Sequence, residues 1–394
     1  MTTNRKFPKN AKHVALAVGV AHLLNDAYAS FLHPLLPRLM DKFGLSITLA
    51  AALAMIFSLS SSIMQPLAGY LADRFGRKMF VIAGPLISGV FLSLIGIAPS
   101  LSMLLMILIL GGIGSAVFHP PGAAMSARTG EGRGSGLRMS FFSCCGSLGY
   151  AIGPLFIVFL VGVVGLDNMW VAVFPAILVS IMLAWVLPRD GGPASRTDPP
   201  SLVGVLSGLR GPLGVVFLIS ALGAFVQRVF VTLSPIISFE AGASETIGAV
   251  TLSIYLGAQA VGSLFSGWLT DRVDRAHLLG WLTGLSVPTH MLALWLPPGS
   301  LGAFFFAACS GFLNMALLPP VVVMAQEIVP ESAAMGSAIV MGLAWATGSV
   351  GLLGTGIMGD MWGPRLAGLV SVPILFIGTF LCFHPKLVSY RRAL

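Results

Sequence analysis

The stretch Gly69-Tyr70-Leu71-Ala72-Asp73-Arg74-Phe75-Gly76-Arg77-Lys78 returns 198 residues later as Gly267-Trp268-Leu269-Thr270-Asp271-Arg272-Val273-Asp274-Arg275-Ala276. That offset is close to half of the 394-residue chain. Each copy sets its charges between two long apolar runs, so each reads as a tight cytoplasmic connection between membrane helices. A repeat at the half-chain offset predicts two homologous halves. The second copy departs from the first, with Asp274 in place of Gly76 and Ala276 in place of Lys78. The repeat continues beyond these loops: Phe118-His119-Pro120-Pro121-Gly122-Ala123-Ala124-Met125 matches Leu317-Leu318-Pro319-Pro320-Val321-Val322-Val323-Met324 at an offset of 199. Paired prolines predict kinks at matching depths of two helices, where neighbouring helices re-satisfy the freed carbonyls.

Composition excludes a water-soluble domain. The chain is 56% hydrophobic and 9% charged, with a mean hydropathy of +0.93. Apolar runs long enough to cross a hydrocarbon core about 30 Å thick recur throughout. The net charge of +8 invites a nucleic-acid partner, but the cations sit in short loops instead of on one face, so they report topology. Cys144, Cys145, Cys309 and Cys382 lie in apolar runs without metal-type spacing, and neither a disulfide framework, a metal nor a cofactor is expected. The basic N-terminus, Met1 to Lys12, precedes a first span with internal polar residues, which is not the pattern of a cleaved leader.

Twelve spans are read: 13–37, 46–71, 79–98, 101–127, 136–163, 168–187, 211–238, 246–270, 277–296, 300–326, 333–359 and 364–384. Residues 1–187 form the N-terminal six-helix half and 211–394 the C-terminal one. Between them the segment 188–210, rich in Pro, Gly, Ser and charge, is a cytoplasmic linker. With the N-terminus inside, 18 of the 22 Lys and Arg residues fall on the cytoplasmic side, three outside (Arg38, Lys42, Arg365) and one, Arg228, within a span. Both termini are therefore expected in the cytoplasm.

The first span carries His22, Asn25, Asp26 and His33. At 100° per residue His22, Asp26 and His33 share one helix face. Asp26 lies about 14 residues from the cytoplasmic end, roughly 20 Å at ~1.5 Å per residue, near mid-membrane. A carboxylate there is costly unless paired, hydrated or protonated, which makes it a functional candidate; a structural pairing with His22 is the alternative for the histidine. Arg228, with Thr232 on the same face, is a guanidinium far from any loop. It suits bidentate contact with a phosphonate or carboxylate, or else it snorkels outward. Gln227 and Asn314 join the polar set, with Gln259, His290 and Ser310 as weaker members that could serve only interhelical hydrogen bonds. Tyr150 and Ser143 read as packing residues.

The Gly-x-Leu-x-Asp-Arg-x-Gly-Arg-Lys pattern resembles the signature loop of the major facilitator superfamily over the whole chain. His22-Leu23-Leu24-Asn25-Asp26, Pro34-Leu35-Leu36, Gln65-Pro66-Leu67-Ala68-Gly69-Tyr70 and Gly112-Ile113-Gly114-Ser115-Ala116-Val117-Phe118-His119-Pro120 resemble its fosmidomycin resistance branch. This resemblance implies an all-α fold of twelve transmembrane helices in two pseudo-symmetric halves, with spans one, four, seven and ten lining a central cavity. Asp26, His22, His119 and His33 are then candidates for proton coupling. Asn25, Arg228, Gln227, Thr232, Asn314 and His119 are candidates for substrate binding. The loops, through Gly69, Asp73, Arg74, Gly76, Arg77, Asp271 and Arg272, become a conformational latch. In it Gly69 permits close helix approach, Arg77 holds Asp73, and Asp73 meets the N-terminal end of a helix of the other half near Glu331 to Ser337, bracing the state closed to the cytoplasm.

The function implied is a monomeric, proton-driven exporter of small anionic or zwitterionic antimicrobial-type compounds across the bacterial inner membrane. Its partners would be substrate, protons and the lipid bilayer. Departures are local: Leu108 stands where many drug/proton antiporters carry an arginine, and in the fifth span Ser140 and Phe156-Ile157 flank Gly149-Tyr150-Ala151-Ile152-Gly153-Pro154 where glycines are usual. A proton symporter for an organic anion uses the same residues in the opposite cycle. A non-transporting receptor finds no appended soluble domain, and an enzyme finds no nucleophile, metal cluster or phosphate loop.

Overall fold

A computed structural model describes residues 11–128, 135–188, 208–329 and 333–387. Twelve helical spans follow one another. The first is split into Ala11–Ala29 and Leu32–Phe43. Pro34 lacks the N–H that would bond Ser30, and the helix breaks one turn before it. The second is split at Met64 into Ile47–Ile63 and Gln65–Phe75, with Pro66 opening the second piece. The third, fourth and fifth are Arg77–Ser93, Leu101–Arg128 and Ser135–Val164, and the sixth is Val173–Val186, led in by the 3-10 turn Leu166–Ala172.

In the other half the seventh, eighth and ninth spans are Pro212–Glu240, Glu245–Thr270 and Arg275–Trp295. The tenth is split at Leu317 into Leu301–Ala316 and Leu318–Ile328. The eleventh runs from Ala333–Ala338 through a π-helical turn, Ile339–Leu343, into Ala344–Trp362. The twelfth comprises Pro364–Ser371 and Leu375–Leu381. Among the described residues, eleven of the twelve spans are long and apolar enough to cross a membrane. Arg275–Trp295 has the length, but Trp281, Thr283, Pro288, Thr289 and His290 dilute its apolar run.

The matched proline pairs behave differently in the two halves. The fourth span continues as helix through Pro120 and Pro121, whereas the tenth is interrupted immediately before Pro319 and Pro320. The kink expected at both places is thus a helix break only in the tenth.

Several hydrogen bonds between the halves, among the described residues, lie toward the end of the bundle opposite the repeated loops. Asp360, ending the eleventh span, accepts from the backbone N–H groups of Ile47 (2.7 Å) and Thr48 (3.1 Å), which open the second. A carboxylate on free helix N-terminal donors is both a cap and a favourable charge for the helix dipole. Arg38 pairs with Glu245 at 2.6 Å. Deeper in, Ser58 and Ser349 share a hydrogen bond of 2.6 Å.

At the loop end Asp73 and Lys78 of the first copy bond to groups of their own half, while Arg77 Nη1 is buried without a hydrogen bond. Asp73 accepts from Arg77 Nη2 (2.6 Å) and Nε (2.8 Å), and Lys78 donates to the carbonyls of Ala184 (2.9 Å) and Leu187 (2.6 Å), closing the end of the sixth span. Gly76 sits at φ +104°, a conformation that L side chains rarely adopt. The second copy solves the same turn differently: Asp274 has φ −61° and N-caps the ninth span by accepting from His277 N at 2.9 Å. Its extra carboxylate therefore replaces a turn glycine with a helix cap.

Candidate functional site

The i, i+4 spacing of His22 and Asp26 brings imidazole Nε2 to 3.1 Å from carboxylate Oδ2. From the fourth span, His119 Nε2 reaches the other oxygen, Oδ1, also at 3.1 Å. Asp26 is 4% exposed, and the His119 side chain, at 26%, is the open edge of the cluster. Each ring is fixed by its other nitrogen. His22 Nδ1 donates to the Phe142 carbonyl at 2.7 Å, and His119 Nδ1 to the Ser115 carbonyl at 2.8 Å. Carbonyls only accept, so both Nδ1 atoms carry hydrogen and both Nε2 atoms are left facing the carboxylate.

The surroundings hold this arrangement. His22 stacks on Phe142 of the fifth span with centroids 3.9 Å apart, and meets His119 edge-on at 5.1 Å. Asn25, wholly buried, donates to Asp26 Oδ1 at 3.1 Å and accepts from Ser88 at 3.0 Å. The structure places Asn25 behind the carboxylate, where its amide is occupied by protein groups. Gly146 of the fifth span lies against the cluster, since a Cβ there would fall 2.4 Å from His22 Cε1.

His33 is separated from this group by the break after Ala29. It does not extend the stripe read from the sequence. Its Nε2 is buried without a hydrogen-bond partner, and its electrostatic neighbour is Arg228 of the other half. Arg228 points inward: its guanidinium lies 5.6 Å over the Trp345 ring, interacts electrostatically with Tyr150 and Tyr255, and leaves Nε without a hydrogen bond. Among the described residues no carboxylate pairs with it. Outward snorkelling is therefore not its geometry.

Tyr150, read from sequence as packing, lies within electrostatic reach of both Asp26 and Arg228. Gln227 donates to Gln259 at 3.1 Å, and Thr232 is wholly buried with its hydroxyl unpaired. Asn314 donates to the Gly223 carbonyl at 3.0 Å, tying the tenth span to the seventh beside Trp345 in one cleft. Arg74 contacts Tyr70 (3.4 Å), and Arg272 donates to the Trp268 carbonyl (2.6 Å) while covering the Trp268 ring. The predicted partner of Asp73 around Glu331 lies partly outside the described residues. Ser337, at the far end of that stretch, accepts from Gln326 at 2.9 Å.

Two six-span repeats around a buried polar midsection define a membrane transporter. The chain belongs to the Major Facilitator Superfamily, whose profile matches residues 18–215 and 213–393. It is 26% identical over 377 residues to the fosmidomycin resistance protein of Escherichia coli (strain K12), covering 94% of this chain and 92% of that one. It is 26% identical over 325 residues to multidrug resistance protein 1 of Bacillus subtilis (strain 168), covering 79% and 80%. Among solved structures, a bacterial homologue of the human lysosomal transporter Spinster in an inward-facing, occupied conformation superposes with a TM-score of 0.80. That match has 17% identity and covers 98% of both chains, so it bears on the fold alone.

Proposed function

We propose that this transporter is a proton-coupled exporter of small anionic or zwitterionic antimicrobial-type compounds, working by alternating access. In this reading it acts as a monomer in the bacterial cytoplasmic membrane with both termini inside. Residues 1–187 and 211–394 are the two moving halves, joined by 188–210. The resistance proteins among its relatives support an export role.

The observation that carries proton coupling is the pair of 3.1 Å gaps between two imidazole Nε2 atoms and one carboxylate. Because each Nδ1–H is committed to a backbone carbonyl, each gap is a hydrogen bond only when an additional proton occupies it. Without those protons, lone pairs face lone pairs in a desolvated site. The cluster is thus a receptacle for up to two labile protons at mid-span. Arg228 supplies the complementary half, a half-buried guanidinium that no carboxylate among the described residues pairs with, which favours a carboxylate or phosphonate ligand. Tyr150, near both charges, is assigned to the space between them.

The cycle follows from these parts. Protons entering from outside fill the gaps and draw the first and fourth spans together, and we assign this protonated form to the state open to the cytoplasm, in keeping with the hydrogen bonds between the halves at the opposite end. Release of the protons inside frees the carboxylate while the substrate anion settles on Arg228. The loaded protein then turns outward and exchanges substrate for protons. Asp73 engages the other half only in that outward state; here it is held ready by Arg77.

The test uses inverted membrane vesicles with an acid interior and a compound first identified by a susceptibility panel in a pump-deficient host. Wild type should accumulate it, and Asp26→Asn should lose gradient-driven accumulation while retaining binding. Full gradient-driven transport by Asp26→Asn would move the coupling site elsewhere. Accumulation only in right-side-out vesicles would reverse the direction.

A further inference from the structure

We infer that the His22, Asp26 and His119 cluster is also a binding site for a divalent transition-metal ion of the zinc, cobalt or nickel class. The three side chains each offer a ligand atom, and these atoms lie within 4.8 Å of one another. Two imidazoles and a carboxylate are donors that such ions prefer, and three protein ligands with an open position are a recurrent way of holding them. Both imidazole-to-carboxylate distances are 3.1 Å. The two contacts are made to different carboxylate oxygens, and ligand–ligand edges around a tetrahedral ion with bonds of about 2.0–2.2 Å are about 3.3–3.6 Å, so the ion is seated when the three ligand atoms, now within 4.8 Å of one another, draw together around it.

The orientation of the rings is the second observation. A metal-binding histidine usually donates its other ring N–H to a carbonyl or carboxylate, which fixes the tautomer and aims the lone pair at the metal. Both histidines do this, His22 to the Phe142 carbonyl and His119 to the Ser115 carbonyl. The carboxylate is steadied in turn by Asn25 (3.1 Å), itself held by Ser88 (3.0 Å). A carboxylate buried for structural reasons alone would be met by donors with permanent hydrogens. Here two of its contacts come from lone-pair nitrogens, so the site calls for a cation of some kind. The partial exposure of His119 supplies the entry path and leaves a coordination position free. An occupied site cannot take up protons, so the ion and the protons of the proposed cycle exclude one another.

Sequence spacing brings together only two of the three ligands. His22 and Asp26 are neighbours on one helix, but His119 is brought in by packing of the fourth span against the first, and the cysteines that usually announce a metal are not involved.

The experiment titrates purified full-length protein in detergent with Co2+ and records its visible d–d absorption and stoichiometry. Expected is one ion per chain in a four- or five-coordinate environment, weakened at least about tenfold by His119→Gln and by His22→Gln. The exposed His277→Gln should leave the spectrum unchanged. A second measurement needs no variant: Zn2+ should protect His22 and His119 of the wild type from diethylpyrocarbonate, read by peptide mass spectrometry. No stoichiometric Co2+ in the wild type, Co2+ binding indifferent to folded His119→Gln, or equal modification with and without Zn2+ overturns the site. Metal binding is read without transport, so the two proposals can fail separately. Should Asp26→Asn still transport down a proton gradient while wild type binds Co2+ as described, the proton reading falls and the metal site stands.

Discussion

Gly146 shows how the polar cluster depends on a side chain that is missing. A Cβ there would lie 2.4 Å from His22 Cε1 and 2.8 Å from Asp26 Oδ2, and His22 has no room to retreat because it stacks on Phe142. Gly146→Ala should therefore lower thermal stability in detergent by about 1–3 kcal/mol, the usual cost of overpacking, and should impair transport more than Gly162→Ala, where a Cβ meets nothing. Equal effects of the two would remove Gly146 from the site. For Arg228, Lys keeps the charge but loses the planar fork, so Arg228→Lys should weaken binding of an anionic substrate and Arg228→Ala should nearly abolish it. Calorimetry on the purified variants decides, and unchanged binding in both would give Arg228 back to structure. At this scale the sequence exposes His22 and Asp26 through their four-residue spacing, and Arg228 through its depth. It does not expose Phe142 and Ser115, because their backbone carbonyls carry no residue-type signal and the stacking of the Phe142 ring on His22 exists only once the first and fifth spans pack. Tyr150 is hidden because its relation to Asp26 exists only once the first and fifth spans pack, and its relation to Arg228 only once the two halves are assembled.

Among the elements, the two repeated loops have diverged in what holds them. The first relies on Asp73 with Arg77 and on a positive φ at Gly76, the second on an N-cap at Asp274. If Asp73 is the member that engages the opposite half, Asp73→Asn should reduce transport with expression and folding retained, and Asp271→Asn should matter less. Equal losses in a vesicle transport assay would count against a latch. At the other end, Asp360 is an observed cap that ties the two halves. Asp360→Ala should remove about 1 kcal/mol from that closed end. Cysteines placed beside Ile47 should then be labelled faster by an impermeant maleimide from outside, and an unchanged rate would mean that Arg38 with Glu245 suffices. Apolar length finds eleven of the twelve described spans, but not where spans break. The interruption near Ser30 follows from Pro34, but no residue type announces the π-helical turn at Ile339–Leu343, and the identical Pro-Pro pairs break only one of their two helices.

For the whole molecule, the half-chain repeat and the apolar composition are enough to read a membrane chain of twelve spans in two halves, and transport follows only from the resemblance of its motifs to a known family. Which ends of the halves touch is not legible, since Asp360 and Ile47 are 313 residues apart and neither belongs to a repeated motif. The ninth span adds a consequence for biosynthesis. Arg275–Trp295 is the one described span that falls short in apolarity, and its His290 is satisfied by Tyr255 (3.2 Å) and by Ser286 (2.7 Å to the carbonyl). As the chain leaves the ribosome, that helix meets the bilayer before the tenth span exists to pack beside it. It should therefore insert reluctantly alone and settle only as a hairpin with Leu301–Ile328. A phosphatase reporter that works only outside the cell, fused after Trp295, should give partial activity. The same fusion after Phe43, behind a complete and more apolar first span, should give full activity. Equal readings would mean that the ninth span enters unaided and that the order of synthesis places no demand on its neighbours.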